Sequence, residues 1–213
     1  MMQESYVISS PMNPAITMKV TPGHFATSNS HISHYLDVST LRTSALVARE
    51  VARSFAGKFL TSTEVNTIIC MENTEVIGAY LAEELLKDGL MVFNRGAEIR
   101  VMTPIQSVGG QLIFLPSARK YIEGRNVILL LSSASSAKTA SQALECLTYY
   151  GGRLVGILAL FSAEPSVLGH EIFSIFTDAD IDGYYSARAE QCELCKAGHG
   201  LDAIVTNRGY TEL

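Results

Sequence analysis

A serine-rich turn is the part of this sequence whose residue types best suit chemistry on a phosphate group. It runs Ser132-Ser-Ala-Ser-Ser-Ala-Lys-Thr139. Its hydroxyl groups, its lysine and the free backbone N–H groups of a predicted helix N-terminus can all donate hydrogen bonds to phosphate oxygens. Ser and Thr are also common as helix N-caps and loop residues, so a phosphate site and an ordinary strand-to-helix turn fit the local sequence equally well. The glycine spacing of a P-loop is absent.

The segments on either side of this turn predict a buried strand and an amphipathic helix. Val127–Leu131 is a short continuous apolar run, typical of a central strand in a parallel sheet, and we expect the strand to end near Ser132. A helix is predicted to begin near Ser136, because apolar residues recur at helical spacing over 140–147. Gly151-Gly152 supplies its stop.

A second turn with features of a phosphate site is Met71-Glu-Asn-Thr-Glu75, which follows another apolar run. Asn73 or Thr74 can cap the next helix there and leave backbone N–H groups free for an anion. Glu72 and Glu75 are candidates to hold a hydrated cation nearby. Glu75 is equally explained as a first-turn acid that interacts favourably with the helix dipole.

The C-terminal region contains a candidate metal site. Cys192 and Cys195 are followed by His199, and this spacing is metal-like. A closed zinc site needs four ligands and only three are evident, so a fourth would come from elsewhere in the chain or from another subunit. Reduced thiols, structural zinc and redox use are the alternative interpretations. Cys70 and Cys146 lie in apolar segments and are predicted to be core thiols.

Three histidines lie close together near the N-terminus, just before or beside Tyr35 and Asp37. They are His24, His31 and His34. A metal or acid–base site is one interpretation of this cluster. The irregular spacing favours a loop with surface histidines as the alternative.

Composition excludes several classes of protein. The chain has 213 residues, of which 47% are hydrophobic and 17% charged, which predicts one globular domain with a large core. A net charge of −5 without a basic stripe argues against nucleic-acid binding. The N-terminus lacks the pattern of a signal peptide and no apolar run is long enough to span a bilayer, so we expect a cytoplasmic protein without a membrane partner.

Strands and helices are predicted to alternate along the chain. Helices are predicted over 41–59 and 74–87, and strands over 66–71, 90–93, 99–102, 112–115, 154–161 and 171–177, in addition to those flanking the serine turn. Gly109-Gly110 predicts a hairpin between two of these strands. This order predicts an α/β fold with a mostly parallel twisted sheet flanked by helices and an inserted hairpin. An irregular tail is expected over 178–213.

These features together resemble the type I phosphoribosyltransferases, and within them the orotate phosphoribosyltransferase branch. The family's ribose-phosphate motif is a buried strand, two acidic residues, a small Thr/Gly-rich turn and a helix. Here Val127–Leu131 match the strand, Ser132-Ser133 occupy the acidic positions, and Ala134–Thr139 match the turn. The N-terminal segment is similar to the orotate branch at Gly23-His-Phe25, Ser28-Asn29, Ser33, Tyr35, Asp37 and Leu41.

The resemblance covers about residues 22–161 and implies a set of site residues. A phosphate would bind at Ser135, Ser136, Ala137, Lys138 and Thr139, a pyrophosphate at Glu72, Asn73 and Thr74, and a base near Phe25, Ser28, Asn29 and Tyr35. It also implies an N-terminal hood over residues 1–40, a homodimer, and Mg²⁺ in an active enzyme.

Two departures from the family pattern bear on catalysis. Ser132 and Ser133 cannot supply the negative charge with which the family holds ribose hydroxyls and magnesium. The stretch matching the catalytic loop, Val101–Gly110, contains no Lys, Arg or His. The sequence therefore predicts a protein that binds a nucleoside monophosphate or phosphoribosyl ligand, with transfer activity weak, altered or lost. An active phosphoribosyltransferase is the alternative, and the sequence identifies no catalytic residue for it.

Overall fold

The computed structural model describes residues 3–59, 63–87, 94, 97–135, 137–206 and 209–213. The strands are β1 (Tyr6–Ser9), β2 (Thr17–Ala26), β3 (His31–Asp37), β4 (Thr67–Cys70), β5 (Arg100–Met102), β6 (Ile105–Gln106), β7 (Leu112–Ile113), β8 (Asn126–Ala134), β9 (Arg153–Ser162), β10 (Ser166–Val167), β11 (His170–Thr177), β12 (Ser186–Ala187), β13 (Ala203–Thr206) and β14 (Gly209–Glu212). The helices are α1 (Ser39–Thr43), α2 (Ala45–Ala56), α3 (Glu75–Leu86), α4 (Ala137–Tyr149) and α5 (Glu193–Lys196). The strand predicted over 90–93 lies outside the described residues.

The central sheet has the strand order β10-β11-β9-β8-β4-β5. Its pairings are parallel except for the two-residue edge strand β10. Strand β8 lies in the middle, and its alternate residues belong to two separate apolar clusters, with Ile128 and Leu130 in one and Leu129 and Leu131 in the other. Burial on both faces explains the continuous apolar run, and the predicted α/β fold with a mostly parallel sheet is confirmed.

Strand β8 extends further than its apolar run predicts. It continues through both serines to Ala134, because β9 pairs with it as far as Ser133↔Phe161 and Ala134↔Ser162. The serines are therefore part of the end of the strand, and the turn proper is shorter than the sequence predicts.

The helix predicted over 41–59 is two helices. The chain breaks at Ser44, whose extended backbone separates α1 from α2 and whose hydroxyl accepts a hydrogen bond from the backbone N–H of Val47. Helix α2 is amphipathic and buries Val51 and Phe55. Helix α1 contacts the loop after β4 through Arg42, whose Nη1 donates to the backbone carbonyl of Glu72.

A second sheet contains the strands of residues 1–40, the segment predicted to form a hood, and this sheet is called the hood below. Its order is β12-β3-β2-β13-β14, with β1 paired to β2. The segment over 178–213, expected to be irregular, thus carries strands that pair with the hood: β12 is antiparallel to β3, and β13 is parallel to β2. These short strands depend on partners far away in sequence, which local patterns do not show.

A hairpin turns at Gly109-Gly110 as predicted, but its strands are β6 and β7. The predicted strand over 99–102 is instead β5 of the central sheet, parallel to β4, so the prediction of the hairpin's first strand is wrong. In the described part of the chain, no helix is both long and apolar enough to cross a membrane.

Candidate functional site

A cavity of about 430 Å³ opens beside the carboxyl ends of β4 and β8, where ligands bind in sheets of this kind. Its walls come from the hood, the first helix, the strand ends, helix α4 and the C-terminal segment. The residues that line it are Thr27, Ser28, Asn29, Ile32, Tyr35, Leu36, Val38, Arg42, Glu72, Ser132, Ser133, Ser135, Thr139, Phe161, Tyr184, Val205, Thr206 and Gly209.

Several of the phosphate, acidic-position and base residues selected from the sequence line this cavity. Both strand-end serines line it, as do Ser135 and Thr139 of the phosphate turn. Ser28, Asn29 and Tyr35 line the hood side, and Glu72 contributes from the loop after β4. Residues from four separate stretches of the sequence are therefore within reach of one ligand.

Other selected residues do not reach the cavity surface. Phe25 is fully buried in the hood, where its ring packs 6.0 Å from that of Tyr35. Thr74 is also buried, and its hydroxyl donates to the backbone carbonyls of Met71 and Leu130 at 2.8 and 3.2 Å. Asn73 and Lys138 are exposed residues outside the cavity lining.

Two positions of the phosphate turn are described only in part or not at all. The backbone of Ala137 forms the first residue of α4. Ser136 lies outside the described residues. The phosphate turn is thus represented in the cavity by Ser135 and Thr139.

The loop after β4 has an uncommon backbone. Glu72 and Asn73 are consecutive non-glycine residues with φ of 54° and 64°. This left-handed conformation is strained for L-residues and is found where surrounding contacts hold it. One such contact is clear: Nη1 of Arg42 donates to the backbone carbonyl of Glu72 at 2.7 Å.

The turned loop directs the Glu72 side chain to the end of β8. Its Oε2 accepts a hydrogen bond from the backbone N–H of Ser133 at 3.2 Å. Burial raises the pKa of Glu72 above its ordinary value, while the backbone N–H groups of Ser133 and Ser132 and the charge of Arg42 act in the opposite direction. The carboxyl group of Glu72 therefore lies at the end of β8, where the strand's own residues are Ser132 and Ser133.

Arg42 supplies a cation to the same cavity. Its Nε is buried and has no hydrogen-bond partner among the described residues, while Nη1 is held by the Glu72 carbonyl. A buried guanidinium donor without a partner costs free energy. Arg42 is among the residues that line the cavity. The sequence predicts one helix over 41–59 and does not separate Arg42 from its neighbours within it.

The C-terminal segment completes the wall of the cavity. The ring of Tyr184 lies 5.0 Å from that of Phe161, and burial raises the pKa of Tyr184. The Ser186 hydroxyl donates to the carbonyl of Ser135 at 3.1 Å, which ties this segment to the phosphate turn. Sequence reasoning missed these residues because strand pairing between distant segments brings them here.

The predicted metal residues lie outside the lining of this cavity. Cys192 and Cys195 meet His24 and His31, so that one ligand atom from each residue lies within 4.8 Å of the others. The side chain of His199, the third residue of the predicted set, is not in this group. Its backbone carbonyl instead lies 3.1 Å from Nδ1 of His24.

Comparison with known proteins gives a likeness in fold. No family model matches the chain, and no curated protein matches it in sequence. Among solved structures, the orotate phosphoribosyltransferase of Mycobacterium tuberculosis in complex with inorganic phosphate has 12% identity and a TM-score of 0.50 over 70% of this chain and 80% of that one. A phosphoribosyltransferase from Corynebacterium diphtheriae has 13% identity and a TM-score of 0.50, over 74% and 90% of the two chains.

Adenine phosphoribosyltransferases are equally similar. The enzyme from Leishmania tarentolae has 13% identity and a TM-score of 0.51, over 70% of this chain and 78% of that one. The chain has the fold of the type I phosphoribosyltransferases. The cavity lies at the carboxyl ends of the sheet strands in this fold.

Proposed function

We propose that this protein binds a nucleoside monophosphate or a phosphoribosyl compound in the cavity between the hood and the central sheet, with phosphoribosyl transfer weak, altered or lost. The observation that carries the proposal is the meeting of four separate sequence regions on one cavity of about 430 Å³. That volume is within the range of small-molecule sites.

The phosphate end of the ligand is assigned to the turn between β8 and α4. Helix α4 runs from Ala137 to Tyr149, and its N-terminus presents backbone N–H groups and the positive end of the helix dipole. Ser135 and Thr139 add hydroxyl groups on the cavity side, and Arg42 adds a positive charge. A phosphate binds well to such a combination of backbone, hydroxyl and guanidinium donors.

The base end is assigned to the hood. Ser28 and Asn29 offer polar groups for base edges, and Tyr35 offers an aromatic ring at the cavity wall. These residues belong to the N-terminal pattern similar to the orotate branch, so we propose a pyrimidine-like ligand of the orotate type.

Weak transfer is proposed because two groups needed for catalysis differ from those of the family. The strand end carries Ser132 and Ser133 in place of two acids, and the hairpin segment Val101–Gly110 contains no Lys, Arg or His. Electrostatic groups that stabilise a transition state are worth roughly 2.7–4 kcal/mol each, so losing them lowers a rate by orders of magnitude.

An active enzyme is the second candidate, and the position of Glu72 favours it. Its carboxyl group lies at the end of β8, where it accepts from the backbone of Ser133, so one acid is available close to the missing pair. In that case Glu72 would interact with the ribose hydroxyls and help to hold Mg²⁺, the hard cation that such sites take.

Two measurements test the proposal. Mass spectrometry of the small molecules that copurify with the protein is expected to identify a nucleotide or a sugar phosphate. Pyrophosphate release from 5-phosphoribosyl diphosphate, measured with orotate and Mg²⁺, is expected to be far below ordinary enzyme rates. Release at an ordinary rate, abolished by Glu72→Gln, would select the active enzyme instead.

We also propose that the protein is a cytoplasmic homodimer, as the resemblance implies. Light scattering of the purified protein is expected to give twice the chain mass of 23.1 kDa. A mass equal to one chain would reject this part of the proposal.

A further inference from the structure

We propose that His24, His31, Cys192 and Cys195 form a structural zinc site that fastens the C-terminal segment to the hood. His24 lies on β2, His31 lies on β3, and both cysteines lie at α5, with Cys192 as its N-cap residue. The site therefore joins residues from the two ends of the sequence. It is separate from the cavity and does not depend on the function proposed above.

The distances fit a tetrahedral ion. With Zn–N near 2.0–2.1 Å and Zn–S near 2.3 Å, tetrahedral geometry places two nitrogens about 3.3 Å apart and a nitrogen and a sulfur about 3.6 Å apart. Here Nε2 of His24 lies 3.3 Å from Nδ1 of His31. Nε2 of His24 also lies 3.4 Å from Sγ of Cys192 and 3.7 Å from Sγ of Cys195, and Nδ1 of His31 lies 3.3 Å from Sγ of Cys195.

Ordinary hydrogen bonding does not account for this arrangement. Nε2 of His24 is close to three partners at once, namely His31 and both cysteines. A neutral imidazole nitrogen carries either one proton or one lone pair, so it makes one good hydrogen bond of this kind. A central cation that binds all four atoms explains why they converge.

The surroundings prepare His24 to be a ligand. Its Nδ1 lies 3.1 Å from the carbonyl of His199 and 3.0 Å from that of Gly200, and both are acceptors. The proton must then be on Nδ1, which leaves the lone pair of Nε2 directed at the site. A hydrogen bond from Nδ1 to a carbonyl is the usual outer-shell contact of a metal-binding histidine.

The backbone also places His24. The pairing of β2 with β3 shifts its register between Pro22 and Phe25, so His24 lies within a β-bulge. Bulges redirect a side chain relative to the sheet, and here the redirected side chain points to the cysteines. The backbone N–H of His24 donates to Oδ2 of Asp202 at 2.9 Å, which ties the bulge to the C-terminal segment.

The ligand set indicates the identity and role of the metal. Two thiolates and two imidazoles in a tetrahedron are typical of Zn²⁺. Four protein ligands fill the coordination shell and leave no position for water or substrate, which is the pattern of a structural site. The segment that the ion holds supplies Tyr184, Val205 and Gly209 to the cavity wall.

Metal analysis of the purified protein tests this assignment. We expect elemental mass spectrometry to find about one zinc ion per chain, since a closed four-ligand site binds a single ion. Cys195→Ser is the main variant, because Cys195 is exposed and the change is small. It is expected to lose most of the zinc and to lower the unfolding temperature. His199→Ala is the matched control, because it removes an exposed side chain while the backbone carbonyl stays.

Cobalt substitution keeps the test valid if a variant fails to fold. The reduced wild-type protein loaded with Co²⁺ is expected to show the intense visible bands of tetrahedral cobalt and a thiolate charge-transfer band. Three results would overturn the proposal: octahedral cobalt bands, no uptake of added Zn²⁺ by the reduced protein, or equal loss of zinc in His199→Ala and Cys195→Ser.

Discussion

The Glu72 carboxyl group accepts a hydrogen bond from the backbone N–H of Ser133 over 3.2 Å. This contact places an acid from the loop after β4 at the end of β8, beside two serines that cannot carry charge. The carboxyl group depends on the left-handed backbone of its own loop, with φ of 54° at Glu72, to reach this position. The carboxyl group at this strand end thus comes from a different part of the chain from the strand itself.

The first prediction concerns pH and stability at Glu72. Because burial raises the pKa of Glu72 in the folded state, the folded protein binds more protons than the unfolded chain above the ordinary glutamate pKa. The contribution of Glu72 to stability is complete below the ordinary pKa of glutamate. That contribution is lost as the pH rises through the raised pKa of the folded state. Arg42 is the charged group that faces Glu72 and limits the shift.

Glu72→Gln removes this titration and keeps an oxygen that can accept from Ser133. We expect the variant to gain stability relative to wild type as the pH rises from 4 to 7, as measured by urea unfolding across that range. Glu145→Gln, at an exposed position of α4, is the control. A stability difference that stays constant over these pH values would refute the assignment.

The second prediction concerns Arg42. Arg42→Gln removes the charge that we assign to the anionic ligand, and a hydrogen bond to a charged group is worth about 1.5–3 kcal/mol. We therefore expect ribose 5-phosphate to bind at least about tenfold more weakly, since about 1.4 kcal/mol is one factor of ten. Arg119→Gln, which breaks only an exposed ion pair with Glu123, should leave the affinity unchanged. Equal affinities in the two variants would exclude Arg42 from the site.

The third prediction concerns packing beneath the site. A Cβ added to Gly78 on α3 would clash with Sγ of Cys70 and lie 3.1 Å from Cγ1 of Val101. Cys70 is fully buried on β4, so the clash must move core atoms, and overpacking of this kind costs about 1–3 kcal/mol. We expect Gly78→Ala to lower the free energy of unfolding by that amount in urea titrations.

Gly57→Ala is the matched control for this packing prediction. Gly57 is exposed, its φ is −52°, and the nearest atom to an added Cβ is a carbonyl oxygen at 3.9 Å. It is expected to be neutral or slightly stabilising. If Gly78→Ala unfolds at the same urea concentration as Gly57→Ala, then α3 is not packed against β4 as the structure has it.

The sequence predicted the central sheet well because its signals are local. The continuous apolar run of β8 and the helical spacing in α4 reflect burial by immediate neighbours in the fold. The hairpin of β6 and β7 followed from a Gly-Gly turn. The end of β8, the turn after it and α4 carry Ser132, Ser133, Ser135 and Thr139. Half of the candidate site could therefore be predicted from the sequence.

The other half of the site depends on contacts between distant segments. Arg42 lies on α1, which is separated from α2 at Ser44, and Tyr184 comes just before β12, which pairs with β3. The partners of the cysteine pair, His24 and His31, lie more than 160 residues earlier in the chain. Local patterns contain no record of such pairings, so the sequence links the cysteines to His199, the nearest histidine, and places His24 and His31 in a separate cluster.

Calorimetric titration of a phosphorylated ligand into two threonine variants of helix α4 tests the central proposal most directly. Thr139→Val removes a hydroxyl from the cavity, while Thr148→Val removes an exposed one from the other end of the same helix. Copurified nucleotide is first removed from each protein. We then expect wild type and Thr148→Val to bind ribose 5-phosphate, or uridine monophosphate, with the same affinity. Thr139→Val should bind about tenfold or more weakly, as for a hydrogen bond to a charged group. No binding by wild type, or the same affinity in all three proteins, would contradict a phosphate site at this turn.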